Sequence, residues 1–431
     1  MSQVSRVGQA SVTTTGRGHV RWLTTGPSLL AVWIVAMLDK SNISIVIANH
    51  GFLQNLGLSG KSFELGMLAT GMLLAYGITA PLWGLVVSRF GPRASCIACL
   101  VIWAVATGLA GLSASYGELL AFRIILGVGE AALYPVTLSL VANWFPLRER
   151  AKATALWWNG TMIGPMIGGA VVTSLIAAFG WRGQFYGMAA LAVILPLPMI
   201  VFLVRDRPAQ HPSVRPGEAD LIAAGAVEQE EGSPGLLLRT GTANVLRNFR
   251  FWLVTIAISA NAVFFWGWST WLPTYLKTAR HFSFSTSGYL TVLIYGAAVI
   301  TIVALSYLSD KIFRRAPLAV AGWVLGGVFL IVAGLVPSAT LSIVFLILSL
   351  CGQQAGISGA ETLMHSIVAS RDMAHSQGVR TFVSQIIGAL SPAALGIIVG
   401  SSNNFTAAFA VLAAAVLVSA GCMAVLIREG F

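Results

Sequence analysis

The chain reads as an all-α membrane protein of about twelve transmembrane helices, arranged in two six-helix halves. Three observations carry this expectation. Mean hydropathy is +0.81, and only 10% of the 431 residues are charged, against about a quarter in soluble domains. A soluble fold with 56% hydrophobic residues would expose large apolar patches. Apolar runs of about 20 residues, the length that crosses a bilayer as a helix, recur along the whole chain.

Taken in order, the runs lie near 27–49, 66–88, 94–114, 119–141, 152–178, 184–204, 251–273, 287–308, 316–336, 340–368, 379–400 and 405–427. The 45 glycines suit close helix approach in lipid. A polar stretch, 205–250, separates six runs from six; RDRPAQHPSVRPGE and VEQEEGSPG within it mark a linker, with a short helix expected around Ala219–Ala226. The chain thus divides into an N-terminal tail (1–26), a first half (27–204), the linker, a second half (251–427) and a C-terminus (428–431).

Charge sets the expected orientation. With both termini on one side, 20 Lys and Arg fall in that side's segments and four on the other (Lys61, Arg182, Lys277, Arg280), with Lys40 and Arg123 completing the 26. Cytoplasmic loops carry such an excess, so both termini are expected in the cytoplasm and the protein in the cell (inner) membrane. The net charge of +11 therefore reports membrane topology and not a nucleic-acid partner. The first 26 residues are polar and lack the apolar core of a cleavable signal peptide.

Five ionisable side chains interrupt the runs. Asp39 and Lys40 are adjacent in WIVAMLDKSNISIVIAN, Arg123 and Glu130 stand in LLAFRIILGVGEAALYPVTLSLVA, and Glu361 is the fifth. A charge in hydrocarbon costs several kcal/mol unless it is paired or wet, and so marks a path for something polar. Arg123 and Glu130, seven residues apart, share a helix face at about 10 Å, too far to pair directly. Arg123 suits a carboxylate, which guanidinium grips through two bonds. Glu130 suits a proton, with Asp39 as a second proton site. A structural ion-pair network is the alternative. Asp39 and Lys40 point about 100° apart, so one can face a cavity while the other meets a neighbouring helix.

Asn42 is expected to line the same cavity. Tyr76 reads either as a hydroxyl offered to substrate or as packing, and Gln385 as an amide for substrate hydroxyls. Glu361, one turn before His365, reads as a gate or structural group. Cys96 and Cys99 form a CxxC inside an apolar run, where buried small residues are expected rather than a metal or redox pair. There is no GxxxxGK[ST], HExxH or GxSxG, so neither P-loop ATP hydrolysis nor a common hydrolase is indicated, and no cofactor is expected.

The two halves echo each other: GLVVSRFGPR (Gly84–Arg93) follows the second run and SYLSDKIFRR (Ser306–Arg315) the eighth. The first resembles the GxxxDRxGRR loop of the major facilitator superfamily, with Ser88 in place of the acid; the second keeps its acid at Asp310. FRIILGVGEAALYP, NWFPLRERAKATAL, GWRGQF, HPSVRPGEADLI and STWLPTYL narrow the resemblance to the superfamily's anion:cation symporters, organic-anion transporters such as those of sugar acids. That resemblance implies a two-half transporter acting as a monomer in the bilayer. It places Arg123 and Glu130 at the family's fourth-helix Arg and Glu, the Glu in proton coupling. It sets Lys40 where relatives have Arg, Tyr76 at a substrate-contacting Tyr, and Gln385 where relatives often have Asn. Arg89, Arg93, Asp310, Arg314 and Glu361 are expected in gating. GTMIGPMIGG (Gly160–Gly169) instead resembles the GxxxGPxxGG signature of proton-driven efflux antiporters, which leaves an antiporter as the alternative; a non-transporting membrane sensor or enzyme is the distant one. The expected partners are protons and a small organic anion, either a sugar acid or an aromatic or aliphatic carboxylate.

Overall fold

A computed structural model describes residues 19–222, 246–309, 315–367, 373–402 and 404–428. Among them there are helices and no strands, as a membrane span requires of a chain that cannot close a barrel. The long helices are α1 (Thr25–Val46), α2 (Ser62–Phe90), α3 (Pro92–Ala110), α4 (Tyr116–Glu130), α5 (Leu133–Trp144), α6 (Leu147–Ile194), α7 (Phe249–Thr278), α8 (Phe284–Ser309), α9 (Arg315–Leu335), α10 (Ala339–Ile367), α11 (Met373–Ala389), α12 (Ser391–Ser402) and α13 (Phe405–Arg428).

Eleven stretches of the described residues are long and apolar enough to cross a membrane. One of them, Lys152–Leu203, is 52 residues long, or about 78 Å at 1.5 Å per residue, more than twice a bilayer core of about 30 Å. It turns at Gly180, whose φ of +71° is open to glycine, and so holds two of the expected runs. Two other spans are broken by proline. α4 and α5 form one span interrupted after Glu130, where Pro135 has no N–H for the carbonyl a turn earlier, and α11 and α12 form another interrupted before Pro392. Large apolar side chains such as Leu85, Ile194 and Ile300 stand about 70% exposed, the surface that lipid covers.

Small residues set the helix contacts. α6 lies on α1 where Gly160 and Gly164 meet Trp33, Ile34 and Met37. It lies on α8 where Gly169 meets Gly288 and Thr291. α2 lies on α12 where Gly66 meets the backbone of Pro392 and Ala393; there the Ala393 N–H donates to Thr70 Oγ1 at 3.1 Å. Lys277 donates to the Ala48 carbonyl at 2.6 Å at the same end of the bundle. That end is the one the charge distribution predicts to be external.

The opening of the linker packs against the first half instead of running free. Residues 216–222 are helical, beginning earlier than the sequence pattern indicates because Pro216 suits a first helical turn. Glu218 is buried and accepts from Arg21 Nη1 at 2.7 Å and from the Val20 and Arg21 backbone N–H groups. Arg21 also grips Glu149 at 2.9 Å, tying the chain before α1 to the start of α6.

Candidate functional site

α1 and α4 bring the four charges of the first half together. Asp39, Lys40, Arg123 and Glu130 are each 6% exposed or less. Lys40 Nζ lies 2.7 Å from Glu130 Oε2 and 4.6 Å from the centre of the Tyr76 ring; Trp33 is farther, at 5.9 Å. Glu130 is thus partnered across helices by Lys40 and not along α4 by Arg123. Tyr76 contributes its ring face to the ammonium.

Asp39 turns the other way. Its carboxylate accepts from Trp103 Nε1 at 2.6 Å, Thr107 Oγ1 at 3.1 Å and Asn42 Nδ2 at 2.6 Å. Trp103 and Thr107 belong to α3, so Asp39 is held between α1 and α3. Asn42 serves as its partner there, and neither residue lines the cleft described next. The two α3 donors were not legible in the sequence, because a Trp and a Thr in an apolar run carry no signal of which acid they meet.

Arg123 is 1% exposed. Its Nε reaches the Leu68 carbonyl at 3.4 Å, while Nη1 and Nη2 have no hydrogen-bond partner among the described residues. Asp39 and Glu130 are the acids within electrostatic reach of it. A buried guanidinium with its two terminal nitrogens unpaired is costly, and the fork it presents matches a carboxylate.

Arg123 and Lys40 both face a narrow cleft walled by α1, α2, α4, α6 and α7. Met37, Met72, Leu73 and Phe265 make up much of its wall. Gln385 stands just behind it: Trp266, on the cleft, donates its indole N–H to Gln385 Oε1 at 3.3 Å. Elements from both sides of the linker therefore share the cleft.

The expected gate residues fall into four groups. Arg89 is exposed beside Phe90. Arg93 is anchored: its N–H donates to Asp206 Oδ1 at 2.7 Å and its Nη2 to the Val201 carbonyl at 2.7 Å. Asp206 sits against Gly91, and its own carbonyl accepts from Asn143. The acid missing at Ser88 is thus supplied to the loop by Asp206, a residue the motif did not single out. Asp310 and Arg314 lie outside the described residues. Glu361 pairs with Arg380 at 2.9 Å. Arg380, 7% exposed on α11, is a sixth charge inside the apolar runs; its place two residues into the run made it look like a loop cation.

Among the described residues no group of three or more His, Cys, Asp or Glu could hold a metal. Cys96 and Cys99 are buried free thiols on α3.

Comparison with known proteins follows the same lines. Residues 29–392 match the Major Facilitator Superfamily. The chain is 26% identical over 410 residues to an Escherichia coli (strain K12) protein named "Probable L-galactonate transporter", covering 92% of this chain and 87% of that one. It is 25% identical to the hexuronate transporter of Bacillus subtilis (strain 168), covering 88% and 89%. Its fold is that of a bacterial homologue of the human lysosomal transporter Spinster, solved inward-facing and occupied (TM-score 0.74, 18% identity, 96% of this chain and 98% of that one).

Proposed function

The chain belongs to the Major Facilitator Superfamily and is a multi-pass membrane transporter, and on that premise we propose that it carries a small organic anion together with protons, in the same direction. In this reading the halves 27–204 and 251–427 rock about the cleft in the cell (inner) membrane, with both termini in the cytoplasm. The observation that carries the reading is Arg123: a buried guanidinium facing the cleft, with no partner for Nη1 and Nη2 among the described residues. The names of the relatives, acid transporters, support the same substrate class.

The Lys40–Glu130 pair supplies the coupling. An arriving carboxylate competes with Glu130 for the ammonium 2.7 Å away. Once Lys40 turns to substrate, Glu130 is a buried carboxylate without a counter-charge, and such a group takes up a proton rather than stay ionised. Release of substrate restores the pair and expels the proton. Asp39, held by three donors, stays ionised as the counter-charge to Arg123 and is the alternative proton site if Glu130 does not couple.

The test is uptake into proteoliposomes. With the outside more acidic than the lumen, organic acids should accumulate, and their entry should raise the external pH. Carboxylate flux with no proton movement would remove the coupling; no carboxylate flux under any gradient would remove the anion reading itself.

A further inference from the structure

We infer that the substrate is a carboxylate carried on an apolar, unhydroxylated body, and not a sugar acid. The inference rests on reading the cleft as an anion site and adds what the rest of the anion must look like. It departs from the sugar acids for which the relatives above are named.

The cleft has four hydroxyls, and each already donates along its own helix. Ser41 Oγ donates to the Leu38 carbonyl at 3.0 Å and Ser44 Oγ to the Ser41 carbonyl at 2.6 Å. Ser269 Oγ and Thr270 Oγ1 both donate to the Trp266 carbonyl, at 3.3 and 2.8 Å. The indole N–H of Trp266 is taken by Gln385. What the lining can still donate to a ligand comes from Arg123 and Lys40, two cations suited to one carboxylate.

A sugar acid carries a hydroxyl on nearly every carbon, and each buried hydroxyl both donates and accepts. A lone pair on a cleft serine can receive a sugar proton. Nothing among these groups answers the sugar's own oxygens beyond the two cations and the amide of Gln385. Each bond left unmade costs about tenfold or more in affinity. Against this, Met37, Met72, Leu73, Pro165 and Phe265 line the cleft, and methionines adapt to the outline of an apolar ligand. Lys40, paired with Glu130, is also backed by the aromatic faces of Tyr76 and Trp33, which leaves its ammonium poorly hydrated.

The experiment compares three probes on the purified full-length protein at neutral pH, by thermal shift and tryptophan fluorescence: phenylacetate, glucuronate and 2-phenylethanol. The expected result is a Kd for phenylacetate at least tenfold below that for glucuronate, with 2-phenylethanol silent at the same concentrations. Glucuronate binding as tightly as phenylacetate, or more so, overturns the inference while the anion site stands. If 2-phenylethanol matches phenylacetate, or if neither acid binds, the anion site of Arg123 and Lys40 falls as well.

Discussion

Replacing Glu130 by Gln separates binding from coupling, and the cluster's charge count sets the magnitude. With all four groups ionised, Asp39 and Glu130 balance Lys40 and Arg123, all at 6% exposure or less. A bound monoanion leaves one uncompensated negative charge in a region where such a charge costs several kcal/mol. One proton removes it. The expected stoichiometry is therefore one proton per monoanion, with no net charge moved. A difference of one pH unit supplies about 1.4 kcal/mol per proton, a tenfold accumulation at equilibrium, unaffected by an imposed membrane potential. Gln keeps the shape of the protonated carboxyl and can neither bind nor release a proton. Glu130→Gln should reduce the accumulation ratio from about ten to one while labelled substrate still exchanges across the membrane. The substitution also strips Lys40 of its partner at 2.7 Å, a loss of about 3–5 kcal/mol in a buried pair. A substrate carboxylate offsets that loss, so the variant should bind substrate at least as tightly as the parent. Continued accumulation in Glu130→Gln proteoliposomes refutes this assignment and passes the role to Asp39.

Arg123→Lys exchanges a fork for a point charge and should weaken substrate binding by about 1–3 kcal/mol, roughly 5- to 150-fold, with circular dichroism and gel filtration unchanged; equal affinity in the purified variant removes Arg123 from the site. Gly66→Ala sets a methyl against the Pro392 and Ala393 backbone, so it should lower the melting temperature and raise the labelling of Thr70→Cys by an impermeant maleimide above that of the parent. At the other end, hydrogen bonds from Arg21 hold the Glu149 carboxyl below its ordinary range, against an opposing effect of burial. A depressed carboxyl adds stability above its unfolded pKa, about 4.3, and that stability is lost as pH falls through the lower folded value. Hydrogen-exchange protection at residues 20–24, relative to the intrinsic rate at each pH, should therefore stay constant from neutral pH down to about 4 and fall only below it; a loss of protection between pH 7 and 5 contradicts the Glu149 tie.

Much of this was legible in the sequence because membranes penalise charge. A buried Arg, Lys or acid cannot hide in an apolar run, so Asp39, Lys40, Arg123 and Glu130 announced themselves. Partnership was less legible. Seven-residue spacing ruled out an Arg123–Glu130 pair, yet nothing in one dimension says that Lys40 reaches Glu130 while Asp39 faces Trp103 and Thr107 on α3. The same limit hid Asp206: a residue 113 positions from Arg93 supplies the carboxylate that the loop motif itself lacks. The state of the cleft hydroxyls was out of reach entirely, since a serine in a helix reads the same whether its proton turns to a ligand or to the carbonyl a turn back.

The direction of transport turns on Gly160–Gly169, whose pattern resembles efflux antiporters. Helix contacts account for these glycines without reference to direction. A Cβ on Gly164 would come within 2.8 Å of Ile34 O, Met37 Cβ and Leu38 N, and one on Gly160 within 3.0 Å of Trp33 and Ile34; both are faces of the α1–α6 seam. Gly169 packs on the other side, against Gly288 and Thr291 of α8. A motif that packs two seams at once is needed by any transporter whose α6 passes between α1 and α8, whichever way its substrate moves. Gly164→Ala is accordingly expected to lower the melting temperature by forcing backbone apart, and to leave the sign of the proton dependence unchanged in whatever protein inserts. The buried charges do bear on direction, because loading an anion beside Glu130 draws a proton to the same side. An acidic exterior should then drive substrate in, and an acidic lumen should drive it out. Accumulation powered by an acidic lumen alone would mean that proton and anion exclude each other at the Lys40–Glu130 pair, and would reverse the reading in favour of antiport.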